Sequence, residues 1–107
     1  MSYLMIESQG PWAGPNAARF VRDAAELAAA GTAVVLLLVQ DGVLAALDGA
    51  SDALDRLRRN GGTVWVDGFS LRQRALPVAK LCEGAAVVDM DTVAAVLLAE
   101  SGQAVWH

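Results

Sequence analysis

The segment Ala33-Val34-Val35-Leu36-Leu37-Leu38-Val39 is an uninterrupted apolar run in a chain of 107 residues. A strand that is apolar on both faces is typical of the middle of a parallel sheet, because helices cover both of its sides. The run is also much shorter than the roughly 20 apolar residues that a membrane-spanning helix needs. We therefore predict a central strand here and no membrane span.

Shorter apolar runs lie on both sides of this segment, and stretches with a helical spacing of apolar residues separate them. Strands that alternate with helices indicate βαβ units and a largely parallel sheet. The length is that of one domain, so we expect a single domain over residues 1–107. The predicted fold is α/β, a flavodoxin-like three-layer sandwich of about five mostly parallel strands flanked by helices. The predicted strands are Tyr3–Glu7, Ala33–Val39, Thr63–Val66, Ala86–Val88 and Ala104–Trp106.

Residues that start and stop helices mark the segments between these strands. Pro15 suits the first turn of a helix that Gly31 ends, and a short helix follows Asp41-Gly42. Ser51 is expected to cap another helix that ends before Gly61-Gly62. Asp89 is expected to cap the last helix. The residues expected to be buried on this helix are Met90, Val93, Ala94, Leu97 and Leu98, and Gly102 is expected to end it.

The charge balance argues against two classes of partner. The chain has 8 Lys and Arg residues against 12 Asp and Glu residues, a net charge of −4. Nucleic acids and anionic membranes attract proteins of the opposite sign, so neither is an expected partner. The first residues lack the basic region and the long apolar segment of a secretory signal, so we expect a cytoplasmic location.

The composition offers few ligands for a metal. Cys82 is the single cysteine and His107 the single histidine, so we predict no internal disulfide, no zinc site and no Ser-His-Asp site. Glu7, Asp41 and Asp67 fall at or near strand ends and could converge on Mg²⁺. Aspartate after a strand is, however, an ordinary turn former and helix cap. We therefore predict no metal site.

The loop after the first strand does not have the sequence of a phosphate-binding loop. Residues 9–15 read Gln-Gly-Pro-Trp-Ala-Gly-Pro, and two prolines remove the amide donors that would hold a phosphate. No cofactor is therefore expected. In sheets of this type ligands bind beyond the carboxyl ends of the strands. The candidate ligand- or partner-binding residues at that edge are Trp12, Gln40, Asp41, Asp67, Ser70, Arg72 and Arg74.

Two features of that edge have alternative interpretations. Arg72 and Arg74 could bind an anion or an acidic partner, since guanidinium groups pair with carboxylates, or they could be solvated surface residues. Trp12, in a loop rich in glycine and proline, could contact a partner or ligand, cover the crevice, or pack within its loop.

Three segments, taken in order, resemble a known family. They are Val39-Gln40-Asp41-Gly42-Val43-Leu44-Ala45-Ala46, then Gly61–Val66 leading to Arg72-Gln73-Arg74-Ala75-Leu76, and Leu81–Asp91 with Val105-Trp106 closing the chain. Together they are similar to the DsrE/DsrF/DsrH family of small sulfur-relay proteins, which includes TusB-, TusC- and TusD-like members. The resemblance covers nearly the whole length. It implies a flavodoxin-like fold, transfer of persulfide sulfur, and assembly into homo-oligomers or mixed oligomers.

The resemblance fails at the residue that carries the chemistry. Sulfur-carrying members have their persulfide cysteine just after the third strand, at the start of a helix, with Arg-Gly a few residues on. The corresponding positions here are Asp67 and Ser70, and the arginine matches Arg74, which is followed by Ala75. Neither an aspartate nor a serine can carry a persulfide. Whether the chain is an enzyme is therefore left open by the sequence.

Cys82 is the remaining thiol. We predict that it lies near the end of a helix before the fourth strand, where carbonyl groups raise its pKa, and that it is a small buried apolar residue. The leading hypothesis is a non-catalytic or accessory subunit that oligomerises with itself, with related DsrE/DsrF-type subunits, or with a sulfur-carrier protein. The alternatives are a sulfurtransferase that carries persulfide on Cys82 and a small-anion or ligand-binding module.

Overall fold

The computed structural model describes residues 2–99 and 103–107. Within these ranges the strands are β1 Ser2–Glu7, β2 Ala33–Leu38, β3 Thr63–Asp67, β4 Ala86–Val88 and β5 Gln103–Trp106. They form one five-stranded sheet in the order β4-β3-β2-β1-β5. Every neighbouring pair in this order is parallel. The α/β three-layer prediction is confirmed, and the apolar segment that opens at Ala33 is the central strand.

The described helices are α1 Pro15–Ala29, α2 Asp52–Arg59, α3 Gly68–Gln73 and α4 Met90–Ala99, with 3₁₀ helices at Gln40–Ala46 and Val78–Lys80. The predicted caps are confirmed. Ser51 Oγ accepts a hydrogen bond from the Leu54 amide at 3.2 Å, and Asp89 Oδ1 accepts one from the Thr92 amide at 2.8 Å. Among the described residues, no helix is both long enough and apolar enough to cross a membrane.

The sheet has a core on each face. On one face the strand residues Met5, Leu36 and Val64 pack against apolar residues of α1 and α2, including Val21 and Leu57. On the other face Leu4, Ile6, Leu37 and Val39 pack with Val93 of α4. β2 thus contributes apolar side chains to both cores, which explains why its sequence is apolar without alternation.

The predicted buried stripe of the last helix is wrong in part. Val93 is buried, but Met90 is 51 % exposed and Ala94 is also exposed. The reason lies in the sheet order, because Met90 follows β4, which is an edge strand of the sheet that the described residues form. The predictions for the side chains of Leu97 and Leu98 and for Gly102 lie outside the described residues.

Candidate functional site

Asp67 and Ser70 form a buried pair where β3 ends and α3 begins. Asp67 is 6 % and Ser70 3 % exposed. Asp67 caps α3, since its Oδ2 accepts a hydrogen bond from the Ser70 amide at 3.1 Å. The same oxygen accepts a second hydrogen bond from the Ser70 hydroxyl at 2.6 Å. The hydroxyl proton of Ser70 is therefore directed at the carboxylate.

The Ser70 hydroxyl also holds the neighbouring strand end. Its Oγ accepts a hydrogen bond from the backbone amide of Gln40 at 2.8 Å. Gln40 follows β2 and has a φ of 50°, a left-handed conformation that is unfavourable for a residue with a side chain. Ser70 thus joins the carboxyl ends of β2 and β3, and it fixes a strained turn between β2 and the 3₁₀ helix.

Arg74 and Asp41 form an ion pair above this junction. Asp41 Oδ1 accepts a hydrogen bond from Arg74 Nε at 2.9 Å and lies 2.8 Å from Arg74 Nη2. Arg74 Nη1 also donates to the carbonyl oxygen of Ser70 at 3.2 Å. The pair is exposed to solvent, so its contribution to stability is small. Its main effect is that Asp41 occupies the guanidinium group of Arg74, a group that the sequence analysis considered for anion binding.

Arg72 lies in a separate depression beside the Asp67–Ser70 pair. The depression has a volume of about 510 Å³ and is bounded by the end of β3, the start of α3, β4 and the start of α4. Three large apolar side chains around it are exposed, namely Phe69 at 58 %, Val87 at 41 % and Met90 at 51 %. We call these three residues the edge patch. It is an apolar surface at the open edge of the sheet, and the depression beside it is also lined by Arg72, Asp89 and Asp91.

The structure unites most of the predicted site residues but not all. The side-chain and backbone hydrogen bonds described above link Gln40, Asp41, Asp67, Ser70 and Arg74. Arg72 borders the depression next to this group. Trp12 is 76 % exposed in the loop between β1 and α1.

Each of the three acidic side chains near the strand ends has its own partner. Glu7 contacts His107, Asp41 pairs with Arg74, and Asp67 bonds to Ser70. Within residues 2–99 and 103–107, no group of three histidine, cysteine or acidic side chains could hold a metal ion. The possible convergence of these carboxylates on Mg²⁺ is not observed among the described residues.

Cys82 is a free, buried thiol in the core that α1 and α2 cover. Cys82 lies just after the end of a helix and before β4, as predicted, but that helix is the three-residue 3₁₀ helix Val78–Lys80. Its amide donates to the carbonyl oxygen of Ala46 at 2.7 Å, which holds it against the chain after β2. Burial raises the pKa of the thiol, and the nearby Arg58 lowers it to a lesser extent. The cause is thus desolvation and not helix carbonyls.

The sequence analysis missed the pairing of Glu7 with His107. Glu7, at the end of β1, is 1 % exposed, and its Oε2 lies 2.5 Å from His107 Nδ1. The imidazole ring stacks on Phe20 of α1 with the ring centroids 5.0 Å apart. Burial raises the pKa of Glu7, while the hydrogen bond and the charge of His107, and a backbone hydrogen bond from Gln9, lower it. The sequence did contain a hint of this pairing, since both residues lie at the carboxyl ends of predicted strands. Predicting the contact, however, required knowing that β5 lies next to β1.

No protein-family model and no curated protein sequence matches this chain. The fold, however, is that of proteins with known structures. The structure of the YchN protein from E. coli superposes with a TM-score of 0.85 at 18 % identity and covers 100 % of both chains. The structure of a protein of unknown function, MTH1491 from Methanobacterium thermoautotrophicum, superposes with a TM-score of 0.78 at 12 % identity, over 99 % of this chain and 97 % of the other. At such identities the likeness concerns the fold alone.

Proposed function

We propose that this protein is a cytoplasmic DsrE/DsrH-like accessory subunit of a sulfur-relay type of assembly, and that it acts by association and not by carrying sulfur. Its partners are further copies of itself, related DsrE/DsrF-type subunits, or a sulfur-carrier protein. The observation that carries the proposal is the buried Asp67–Ser70 pair. By the resemblance to the DsrE/DsrF/DsrH family, Asp67 and Ser70 stand at the positions where that family has its persulfide cysteine.

The chemistry of that pair supports a role without catalysis. A persulfide carrier needs a thiolate that can accept and pass on sulfane sulfur. Ser70 instead directs its proton at Asp67 and accepts a hydrogen bond from the Gln40 amide. Its hydroxyl is also nearly inaccessible. Both groups serve as a structural junction, because their hydrogen-bonding capacity is directed at each other and at the chain after β2.

The edge patch supports association. Phe69, Val87 and Met90 expose large apolar side chains beside one another, and such a surface on a small domain marks an interaction site. β4 is an edge strand of three residues, so a neighbouring subunit can approach it without meeting a helix on its outer side. The depression beside the patch is lined by Arg72 and by the exposed Asp89 and Asp91, so it offers a partner charges of both signs.

The two alternatives have less support from the geometry. A sulfurtransferase that uses Cys82 would need an accessible thiolate, whereas this thiol is 6 % exposed and its pKa is raised. An anion-binding module would use Arg72 and Arg74, whereas Arg74 is paired with Asp41 and Arg72 lines its depression together with Asp89 and Asp91.

Two measurements test the proposal. The native protein is exposed to a persulfide donor and its intact mass is recorded, with Cys82→Ser as the control. We expect neither protein to gain sulfur. If the wild type gains the mass of one sulfur atom, reversibly under reductant, and the control does not, the Cys82 sulfurtransferase replaces our proposal.

The second measurement is the oligomeric state by sedimentation. We expect the wild type to form a dimer or a larger species that Phe69→Asp reduces in size. Val78→Asp is the matched control, because Val78 is 63 % exposed but lies outside the edge patch. A wild-type protein that stays monomeric alone, and that also captures no DsrE/DsrF-type subunit or sulfur-carrier protein, would overturn the proposal.

A further inference from the structure

The charges around the edge patch differ between the two faces of the sheet. Arg72 belongs to α3, and Leu71 anchors that helix in the core on one face. Asp91 belongs to α4, and Val93 anchors that helix in the core on the opposite face. The cation and the acid therefore lie on either side of the edge strand β4.

Both kinds of charge are available to a partner. Arg72, Asp89 and Asp91 are exposed and line the same depression. Among the described residues, none of the three takes part in an ion pair. The apolar side chains of the edge patch stand beside them, so an apolar centre is combined with charges of both signs.

A second copy of this chain fits such a surface. An acidic partner would meet the two aspartates and a basic partner would meet Arg72, so a partner surface of one sign matches only part of the depression. A second copy carries both signs. It matches both if a two-fold axis places the α3 side of each copy against the α4 side of the other.

The same arrangement determines the direction of the axis. A two-fold axis perpendicular to the sheet would keep α3 of both copies on the same face and set Arg72 against the Arg72 of the second copy. An axis that runs along β4 exchanges the two faces, so that Arg72 lies opposite Asp91 of the second copy. It also keeps the carboxyl ends of both β4 strands at the same end. Phe69 of α3 then lies opposite Met90 of α4 in the second copy.

We infer that the edge patch binds a second copy of this chain about a two-fold axis that runs along β4. Arg72 pairs with Asp91 of the second copy at two equivalent places, and Phe69 packs against Met90 of the second copy. Apolar side chains thus form the centre of the contact and charges surround it, as in specific interfaces. A two-fold contact is closed, so assembly through this patch stops at the dimer. The inference rests on the proposed function, because it names the partner that the edge patch binds.

Reversal of one charge at a time tests the pairing. The dissociation constant of the dimer is measured by sedimentation of the intact protein over a range of concentrations. We expect Arg72→Asp and Asp91→Arg each to weaken the dimer at least about tenfold, because each sets like charges against one another at two places. Asp91 is chosen because Asp89 caps α4 and its replacement would also disturb the helix.

An equimolar mixture of the two variants is the decisive sample. In a mixed dimer each reversed side chain faces the opposite charge again, so we expect the dissociation constant to return to within about threefold of the wild type. Recovery on mixing also shows that both variants are folded. Arg22→Asp is the control for net charge, since Arg22 is an exposed residue of α1 outside the depression, and it should dimerise like the wild type. A loss equal to that of Arg72→Asp would overturn the inference.

Three further results would also overturn it. One is a mixture that associates no better than either variant alone. Another is single variants that dimerise like the wild type and a mixture that dimerises more strongly, since that pattern indicates an axis perpendicular to the sheet. The third is a wild-type protein that stays monomeric.

The failure of this inference is distinguishable from the failure of the proposed function. The first two results leave the proposed function intact, because it requires association through the edge patch and not this particular dimer. A monomeric wild type leaves it intact only if the monomer captures a DsrE/DsrF-type subunit or a sulfur-carrier protein.

Discussion

The hydroxyl of Ser70 lies 2.6 Å from Oδ2 of Asp67, and the same hydroxyl oxygen lies 2.8 Å from the amide nitrogen of Gln40. One side chain therefore connects the end of β3 to the end of β2. Asp67 and Ser70 are buried, so water has little access to the hydrogen bond between them, whereas the bond to the exposed Gln40 is partly buried.

We expect Ser70→Ala to destabilise the protein by about 2–3 kcal/mol, because it leaves the Gln40 amide and one hydrogen bond of buried Asp67 without a partner. Urea denaturation measures the free energy of unfolding. Ser51→Ala is the comparison, since it removes a single cap hydrogen bond of a partly exposed residue and should cost about 1 kcal/mol. If Ser70→Ala costs no more than Ser51→Ala, the junction is not structural.

Ala75 has a φ of 52° directly after the cap residue of α3. A left-handed backbone conformation costs a residue with a Cβ roughly 1 kcal/mol. We expect Ala75→Gly to raise the free energy of unfolding by about 0.5–1 kcal/mol, measured by urea denaturation.

Ala30→Gly is the matched control for that substitution. Ala30 caps α1 with a φ of −82°, so glycine relieves no strain there and should destabilise the protein slightly. Equal effects of the two substitutions would show that the conformation of Ala75 costs nothing.

Cys82 should react slowly with a thiol reagent in the native protein. Burial raises the pKa of its thiol and also blocks access, so both the thiolate fraction and the collision rate are low. We expect labelling in urea to exceed native labelling by on the order of 100-fold, because reaction requires local opening. The control is Ala29→Cys in a Cys82→Ser background, which places the thiol on the exposed surface of α1 and should label quickly without denaturant. Native labelling of Cys82 as fast as that control would contradict a structural role.

Local features of this protein could be read from the sequence, and long-range ones could not. Ser51 and Asp89 were recognised as caps because each bonds an amide three residues away. β2 was recognised because burial on both faces leaves a continuous apolar run. The contact of Glu7 with His107 joins residues 100 positions apart and needs the sheet order. A composition with one histidine argued against a catalytic triad, but it did not indicate where that histidine would lie.

The candidate site shows the same division. Gln40, Asp41, Asp67, Ser70 and Arg74 were predicted together because the carboxyl ends of parallel strands meet at one edge. Their mutual bonds were not predictable, since they depend on the left-handed turn at Gln40 and on the direction of Arg74 at the end of α3. The exposure of Met90 was missed because helical periodicity does not reveal that β4 is an edge strand.

Glu7 should make the stability of the protein depend on pH above its ordinary pKa of 4.5. Because burial raises its pKa in the folded state, the folded protein retains a proton that the unfolded chain has already released. The stabilisation of the folded state by Glu7 is therefore fully present below pH 4.5 and is lost as the pH rises through the pKa of Glu7 in the folded protein. The free energy of unfolding is measured in urea at pH 4 and at pH 7. We expect that of Glu7→Gln to increase relative to that of the wild type as the pH rises. Glu26→Gln, an exposed substitution on α1, should show no such gain. If the wild type instead becomes more stable relative to Glu7→Gln between pH 4 and pH 7, the pairing with His107 outweighs burial and the pKa of Glu7 is lowered, not raised.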